Sequence, residues 1–216
     1  MFGVTTVCVE ALKARHERDN QCLVFHATGT GGQTLEKLVE NGRLSGVIDV
    51  TTTEIADHLM GGILSAGERR LDSFIEAGIP YVGSCGAIDM VNFGAPSTIP
   101  EKYADRLFYE HNPQITLMRT TEEENVDMGK WIGGKLNKFK SPARFLIPLA
   151  GVSALDDEGM DFYDPAADAA FTEALEKTVS NPIVSIIKLP YHINDMEFSM
   201  ALANNYNELS KEFQNE

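Results

Sequence analysis

The sequence predicts a doubly wound α/β fold, Rossmann-like, with a mostly parallel sheet and helices on both faces in three layers. Short apolar runs alternate with polar or Gly-rich turns and amphipathic stretches, as crossover connections require. A hydrophobic fraction of 43% is enough to bury a core. The length of 216 residues, with neither an internal repeat nor a linker, predicts a single domain over residues 1–216.

Six apolar runs predict strands, and seven amphipathic stretches predict helices. The strands are expected at 22–27, 46–50, 79–82, 106–110, 144–149 and 183–189. The helices are expected at 7–18, 33–40, 54–60, 68–77, from 121 onward, 165–178 and 195–212. Thr121 with Glu124 has the spacing of a capping box, and Asp164 before Pro165 predicts another helix start. Residues 92–104 contain many turn-forming residues and predict a long loop, a candidate lid.

The N-terminus predicts a strand that is cut short. Residues 2–6 have the pattern of a strand end followed by a helix cap, with hardly any strand before them. We therefore expect the chain to be a fragment of a longer protein or to have an internal start. An open sheet edge would result and would pair with another chain, so a homo-oligomer is expected.

The amino-acid composition limits which kinds of binding partner are expected. The formal net charge of −14 repels phosphate backbones and anionic headgroups, so neither nucleic acid nor a membrane is an expected partner. Three widely spaced cysteines indicate neither a disulfide framework nor a zinc site, and a cytoplasmic location is expected. The sequence contains no apolar run of the ~18 residues that a membrane span needs and no N-terminal signal pattern.

The turns at the carboxyl ends of the predicted strands are the expected ligand site, because open α/β sheets bind ligands there. The candidate ligand-binding residues in these turns are Thr5, Thr6, Thr28, Gly29, Thr30, Gly31, Gly32, Thr51, Thr52, Thr53, Gly83, Ser84, Cys85 and Gly86. Backbone amides at Gly29–Gly32, before a helix, predict contact with a small anionic ligand, and Arg119 is the candidate cation beside it. A tight turn with an ordinary helix cap is the alternative.

Four residues in or near these turns are candidates for general acid–base catalysis: His26, Glu54, Asp89 and His111. The alternative is that each is a hydrogen-bonded structural residue. Ser84 and Cys85 lack the spacing of a nucleophile elbow. No HxH, HExxH or DxD spacing occurs, so the sequence leaves open whether a metal binds.

Five segments of the chain carry a family resemblance. They are residues 25–32, 49–54, 86–94, 111–120 and 148–153. Together they resemble the family of Tm-1-like ATP-binding-domain proteins (UPF0261), and specifically its second, C-terminal α/β domain. The resemblance runs along nearly the whole chain. It implies a Rossmann-like fold, self-association and nucleotide binding, with ATP as the candidate cofactor. It also implies that this chain is the C-terminal half of a longer two-domain protein, lacking the N-terminal domain.

Three functions follow from these observations. The first is a nucleotide- or phosphometabolite-binding domain, favoured by the Gly/Thr turns and the resemblance. The second is an enzyme acting on a small oxo- or hydroxy-carboxylate, favoured by the His, Asp and Glu residues at the turns. The third is a protein-interaction domain.

Overall fold

The computed structural model describes residues 1–214, and a parallel sheet lies at its centre. In chain order the strands are β1 (Val47–Thr51), β2 (Tyr81–Gly86), β3 (Met90–Phe93), β4 (Phe108–Asn112), β5 (Ile115–Arg119), β6 (Ala143–Pro148) and β7 (Val184–Leu189). The α-helices are α1 (Thr6–His16), α2 (Thr30–Glu40), α3 (Thr53–Met60), α4 (Asp72–Ala77), α5 (Glu122–Leu136), α6 (Pro165–Thr178) and α7 (Met196–Gln214). The central sheet has the order β1-β2-β6-β7, with every pairing parallel.

Helices cover both faces of the central sheet. On one face Val50, Val82 and Leu146 pack against apolar side chains of α1 and α7. On the other face Tyr81 and Phe145 pack in a larger core with residues of α2 to α6. Because helices flank the sheet on both sides, its inner strands β2 and β6 are buried and read as apolar runs, and the predicted three-layer α/β fold is confirmed.

A second, antiparallel sheet of order β3-β5-β4 was not predicted. The strand expected at 106–110 is found as β4, at Phe108–Asn112, and it pairs with β5 outside the parallel sheet. β3 has only four residues and begins two residues before the expected loop at 92–104. Such a short strand carries too few residues to show a period of two.

The rest of the expected loop at 92–104 is mostly exposed but is not free of structure. It contains two short 3-10 helices, Pro96–Thr98 and Glu101–Tyr103. Tyr103 is buried, and its hydroxyl donates to the Met60 carbonyl at 2.9 Å. The loop is therefore anchored to α3 and is not a free lid.

The strand predicted at 22–27 is wrong as stated. These residues are extended, but their ladder contacts are two hydrogen bonds with Met1: its amine donates to the Phe25 carbonyl at 2.8 Å, and its carbonyl accepts from the Ala27 amide at 2.8 Å. A strand needs a paired neighbour along its length, and none of residues 1–214 supplies one for residues 22–24.

Local capping predictions are confirmed where the cap is complete in sequence. The Thr121 hydroxyl accepts from the Glu124 amide, and the Glu124 carboxylate accepts from the Thr121 amide. Asp164 accepts from the first amides of α6.

Along residues 1–214, none of the helices combines the length and hydrophobicity needed to cross a membrane.

Candidate functional site

The Gly29–Gly32 turn already holds a carboxylate from this chain. The amides of Gly29 and Gly32 donate to Oε1 of Glu54 at 2.7 and 3.1 Å. Gly29 has a φ of 79°, which favours glycine and lets its amide point at that oxygen. The turn thus binds an anion through backbone amides, and the anion is the side chain of Glu54. Binding of an external anion there stays a prediction.

Glu54 belongs to a buried cluster around Arg70, which we call the Arg70 cluster: Arg70, Glu36, Asp49 and Glu54. The Arg70 guanidinium lies 2.7 Å from Asp49, 3.0 Å from Glu54 and 3.4 Å from Glu36. Only 2% of the Arg70 side chain is exposed. Burial raises the pKa of Glu54 above its usual value, and the Arg70 charge opposes that shift. The cluster joins α2, α3 and β1 into one unit.

A second buried cluster, around Asp89 and Arg119, lies near the carboxyl ends of β2 and β6. Asp89 accepts from the Ser153 hydroxyl at 2.7 Å, and its other oxygen has no hydrogen-bond partner among the described residues. Arg119 donates to Asp168 at 3.1 Å and to Asp156 at 3.4 Å. The Arg119 side chain is 5% exposed and also donates to the Phe162 carbonyl. The candidate cation is therefore already engaged by groups of its own chain.

The other candidate ligand residues mostly serve the packing of this end of the sheet. Thr5 bonds to Thr51 at 2.8 Å, and Thr52 donates to the Ser84 carbonyl at 3.1 Å. A Cβ at Gly86 would lie 2.5 Å from the Val50 carbonyl, which leaves no room for a larger residue. The buried candidates are Thr5, Gly29, Gly32, Thr51, Thr52, Thr53, Gly83, Ser84, Cys85 and Gly86, whereas Thr6, Thr28, Thr30 and Gly31 are at least partly exposed. Burial also raises the pKa of Cys85, so its thiol is not a ready nucleophile.

The four candidate acid–base residues lie in separate surroundings. Glu54 is bonded to Arg70 and Asp89 to Ser153, while His26 and His111 are both exposed, on residues 21–27 and on β4. No hydrogen bond joins any two of them within residues 1–214. Their catalytic role stays a prediction, without a common hydrogen-bond network to support it.

His192, at the carboxyl end of the central sheet, is hydrogen-bonded through both ring nitrogens. Its Nδ1 accepts from the Asn194 amide at 3.1 Å, so its Nε2 carries the proton and donates to the Ser153 carbonyl at 2.9 Å.

Across residues 1–214, the His, Cys, Asp and Glu side chains form no group of three or more that could hold a metal ion.

An open cavity of about 440 Å³ lies at the β1 edge of the sheet, and we call it the edge cavity. β1 and the segment 21–27 both contribute walls of the cavity. Met1 and side chains of α1 and α2 also line it. Leu23 and Val24 remain 52% and 38% exposed. Sequence reasoning placed a strand here and so did not foresee the cavity.

Stability should fall as pH rises from 6.0 to 8.5, because burial raises the pKa of Asp89 to about 7 and of Asp168 to about 8. An unfolded aspartate has a pKa of about 3.9, so between that value and 8 the folded chain binds more protons than the unfolded chain. We expect a lower melting temperature at pH 8.5 than at pH 6.0. Asp89→Asn should have a smaller difference between the two melting temperatures; an unchanged difference would contradict the assignment.

Comparison with known proteins places the chain in a family. The family model described as the uncharacterised protein family (UPF0261) C-terminal domain matches residues 1–210. A UPF0261 protein of Rhizobium meliloti (strain 1021) is 56% identical over 97% of this chain and 53% of its own length. A UPF0261 protein of Clostridium tetani is 48% identical over 94% of this chain and 50% of its own length.

A plant protein is similar as well. The ToMV resistance protein Tm-1(GCR237) of Solanum lycopersicum is 48% identical over 97% of this chain, and the match covers 28% of the tomato protein. The chain therefore spans about half the length of these bacterial relatives and less of the tomato protein. Because the family model covers nearly the whole chain, we conclude that this chain belongs to the UPF0261 family, in which it corresponds to the C-terminal domain.

Proposed function

We propose that this domain is a protein-interaction domain, which binds another stretch of polypeptide through the open β1 edge of its sheet. The observation that carries the proposal is the edge cavity, a space of about 440 Å³ that both β1 and the segment 21–27 line. Backbone groups along such an edge are unpaired and ready to hydrogen-bond with another strand.

The charges around the Gly29–Gly32 turn favour this function over nucleotide binding. The amides that would hold a phosphate are bonded to Glu54, and the Arg70 cluster contains three carboxylates and one guanidinium. An incoming phosphate would have to displace a seated carboxylate and enter a region with an excess of negative charge. Binding of ATP or a phosphometabolite by this domain alone is therefore the weaker proposal.

The arrangement of the candidate acid–base residues likewise favours binding over catalysis. Proton transfer needs groups within ~2.6–3.2 Å of the reacting atoms, or one water away. Glu54 and Asp89 are buried in different clusters, and His111 is exposed on the second sheet. The bacterial relatives are about twice as long as the match, so the rest of such a protein is available as the binding partner.

We expect the isolated domain to self-associate through the β1 edge at micromolar concentration. Leu23→Lys places a charge at the rim of the edge cavity and should weaken association by roughly tenfold or more, since desolvating a charge opposes pairing. Leu149→Lys is the matched control, because Leu149 is 51% exposed against 52% for Leu23 and does not line the cavity. Sedimentation velocity measures both. The proposed function would be refuted if the wild type were monomeric at about 100 micromolar, or if the two variants weakened self-association equally.

A further inference from the structure

We propose that the edge cavity accepts one extended polypeptide strand that lies parallel to β1 and runs directly into Met1. The inference rests on the proposed function and names the partner of the same edge. The occupant is a strand that pairs with both β1 and the segment 21–27. In a protein of the relatives' length, the chain before Met1 would supply it.

The hydrogen bonds of Met1 set the direction and register of this strand. The Met1 amine donates to Phe25 O at 2.8 Å, and Ala27 N donates to Met1 O at 2.8 Å. This is the bond pattern of a parallel pair in which Met1 is opposite His26. A residue joined to the Met1 nitrogen would continue back along residues 21–25, inside the cavity that these residues line.

The opposite wall offers a complementary edge. The Val47 amide donates to the Pro80 carbonyl, on the β2 side. Successive amides of a strand point to opposite sides, so the Ile48 amide points away from β2, towards the cavity. An inserted strand would therefore be paired from both sides and would extend the central sheet from the order β1-β2-β6-β7 by two strands.

The helices on the two faces of the edge cavity favour an apolar strand, although charged residues such as Lys13, Arg43 and Asp49 also line the cavity. Val9 and Leu12 of α1 cover one face and Leu35 of α2 covers the other, so a strand between them is buried on both faces. The β1 wall is five residues long, which corresponds to about 17 Å of extended chain. The fitting occupant is a run of about five Val, Ile or Leu residues, as in a central parallel strand.

Two polar groups that line the cavity, on His16 and Met1, have surroundings that an inserted strand would change. His16 lines the cavity, is buried, and has an Nε2 without a hydrogen-bond partner in the described part of the chain. The Met1 amine is also desolvated, and burial lowers its pKa below the usual value. A peptide bond at this nitrogen would replace the buried amine by an amide while keeping a donor for Phe25 O.

The test fuses a charged leader and five Val/Ile residues directly before Met1. The control fusion has proline at the third of these five positions, which removes a ladder donor. The strand fusion should slow hydrogen exchange of the segments 21–27 and 47–51 by roughly tenfold or more, raise the melting temperature, and abolish the self-association of the isolated domain. The proline fusion should resemble the unmodified chain in all three measurements.

The same five-residue strand with its leader, added as a separate peptide, gives a second measurement if the fusion aggregates. It should bind saturably and protect the same amides, whereas the proline peptide should not. Equal behaviour of the Val/Ile and proline versions in whichever format remains folded would overturn the strand proposal. If Leu23→Lys still weakens self-association selectively in that case, the proposed function stands and only the strand is refuted.

Discussion

Replacing Arg70 with alanine should destabilise the domain by about 3–5 kcal/mol, as removal of one partner from a buried ion pair does. Glu36, Asp49 and Glu54 would remain buried without the guanidinium that now contacts all three. Small domains unfold with only about 5–15 kcal/mol, so a large part of the stability would be lost. Urea unfolding at pH 7, followed by circular dichroism, measures the change.

Arg69→Ala is the matched control, one residue away. The Arg69 side chain is 82% exposed and lies 3.5 Å from Glu40, a surface pair worth about 0–1 kcal/mol. Arg70→Lys should fall between the two, because lysine keeps the charge but not the guanidinium fork. The role assigned to the Arg70 cluster is wrong if Arg70→Ala and Arg69→Ala have the same unfolding midpoint.

The second large effect is expected for Gly31→Ala, with a loss of about 1–3 kcal/mol from overpacking. A Cβ at Gly31 would overlap the backbone carbonyl of His26, so segment 21–27 would have to move. That movement would break the two hydrogen bonds between this segment and Met1. Thermal and urea unfolding measure the loss, and hydrogen exchange of residues 21–27 should quicken.

Gly134→Ala is the control for this substitution. Gly134 lies within α5, and a Cβ there would have nothing within 4 Å. Alanine in a helix interior is favoured over glycine by about 1 kcal/mol, so this variant should be more stable than the wild type. Opposite signs for the two Gly→Ala changes are the expected result. A neutral Gly31→Ala would contradict the close packing of the turn against His26.

Structural features that depend only on residues close together in the sequence were predicted correctly. Thr121 and Glu124 are three residues apart, so the capping box of α5 is visible in the sequence and is present in the structure. Asp164 with Pro165 likewise determined the start of α6. The alternation of apolar runs and amphipathic stretches was enough for the α/β class, because it reflects which faces of each element are buried.

Predictions that depended on distant partners were incomplete or wrong. Residues 22–27 have a strand-like sequence, but a strand forms only beside another strand, and Met1 alone pairs with them within residues 1–214. β4 was placed in the wrong sheet because apolar periodicity does not say which strand will be its neighbour. β3 was missed because it is four residues long.

By itself, the sequence determined the α/β class, the starts of α5 and α6 and the glycines of an anion-binding turn. Only the tertiary structure decided which anion occupies that turn: Glu54 follows Gly29 by 25 residues, and their contact depends on how α2 and α3 pack on β1. It likewise brought Arg70 against three carboxylates from separate elements. The physical reason is that helix caps and periodicity are set by neighbours in sequence, whereas the partner of a buried charge is set by packing between distant segments.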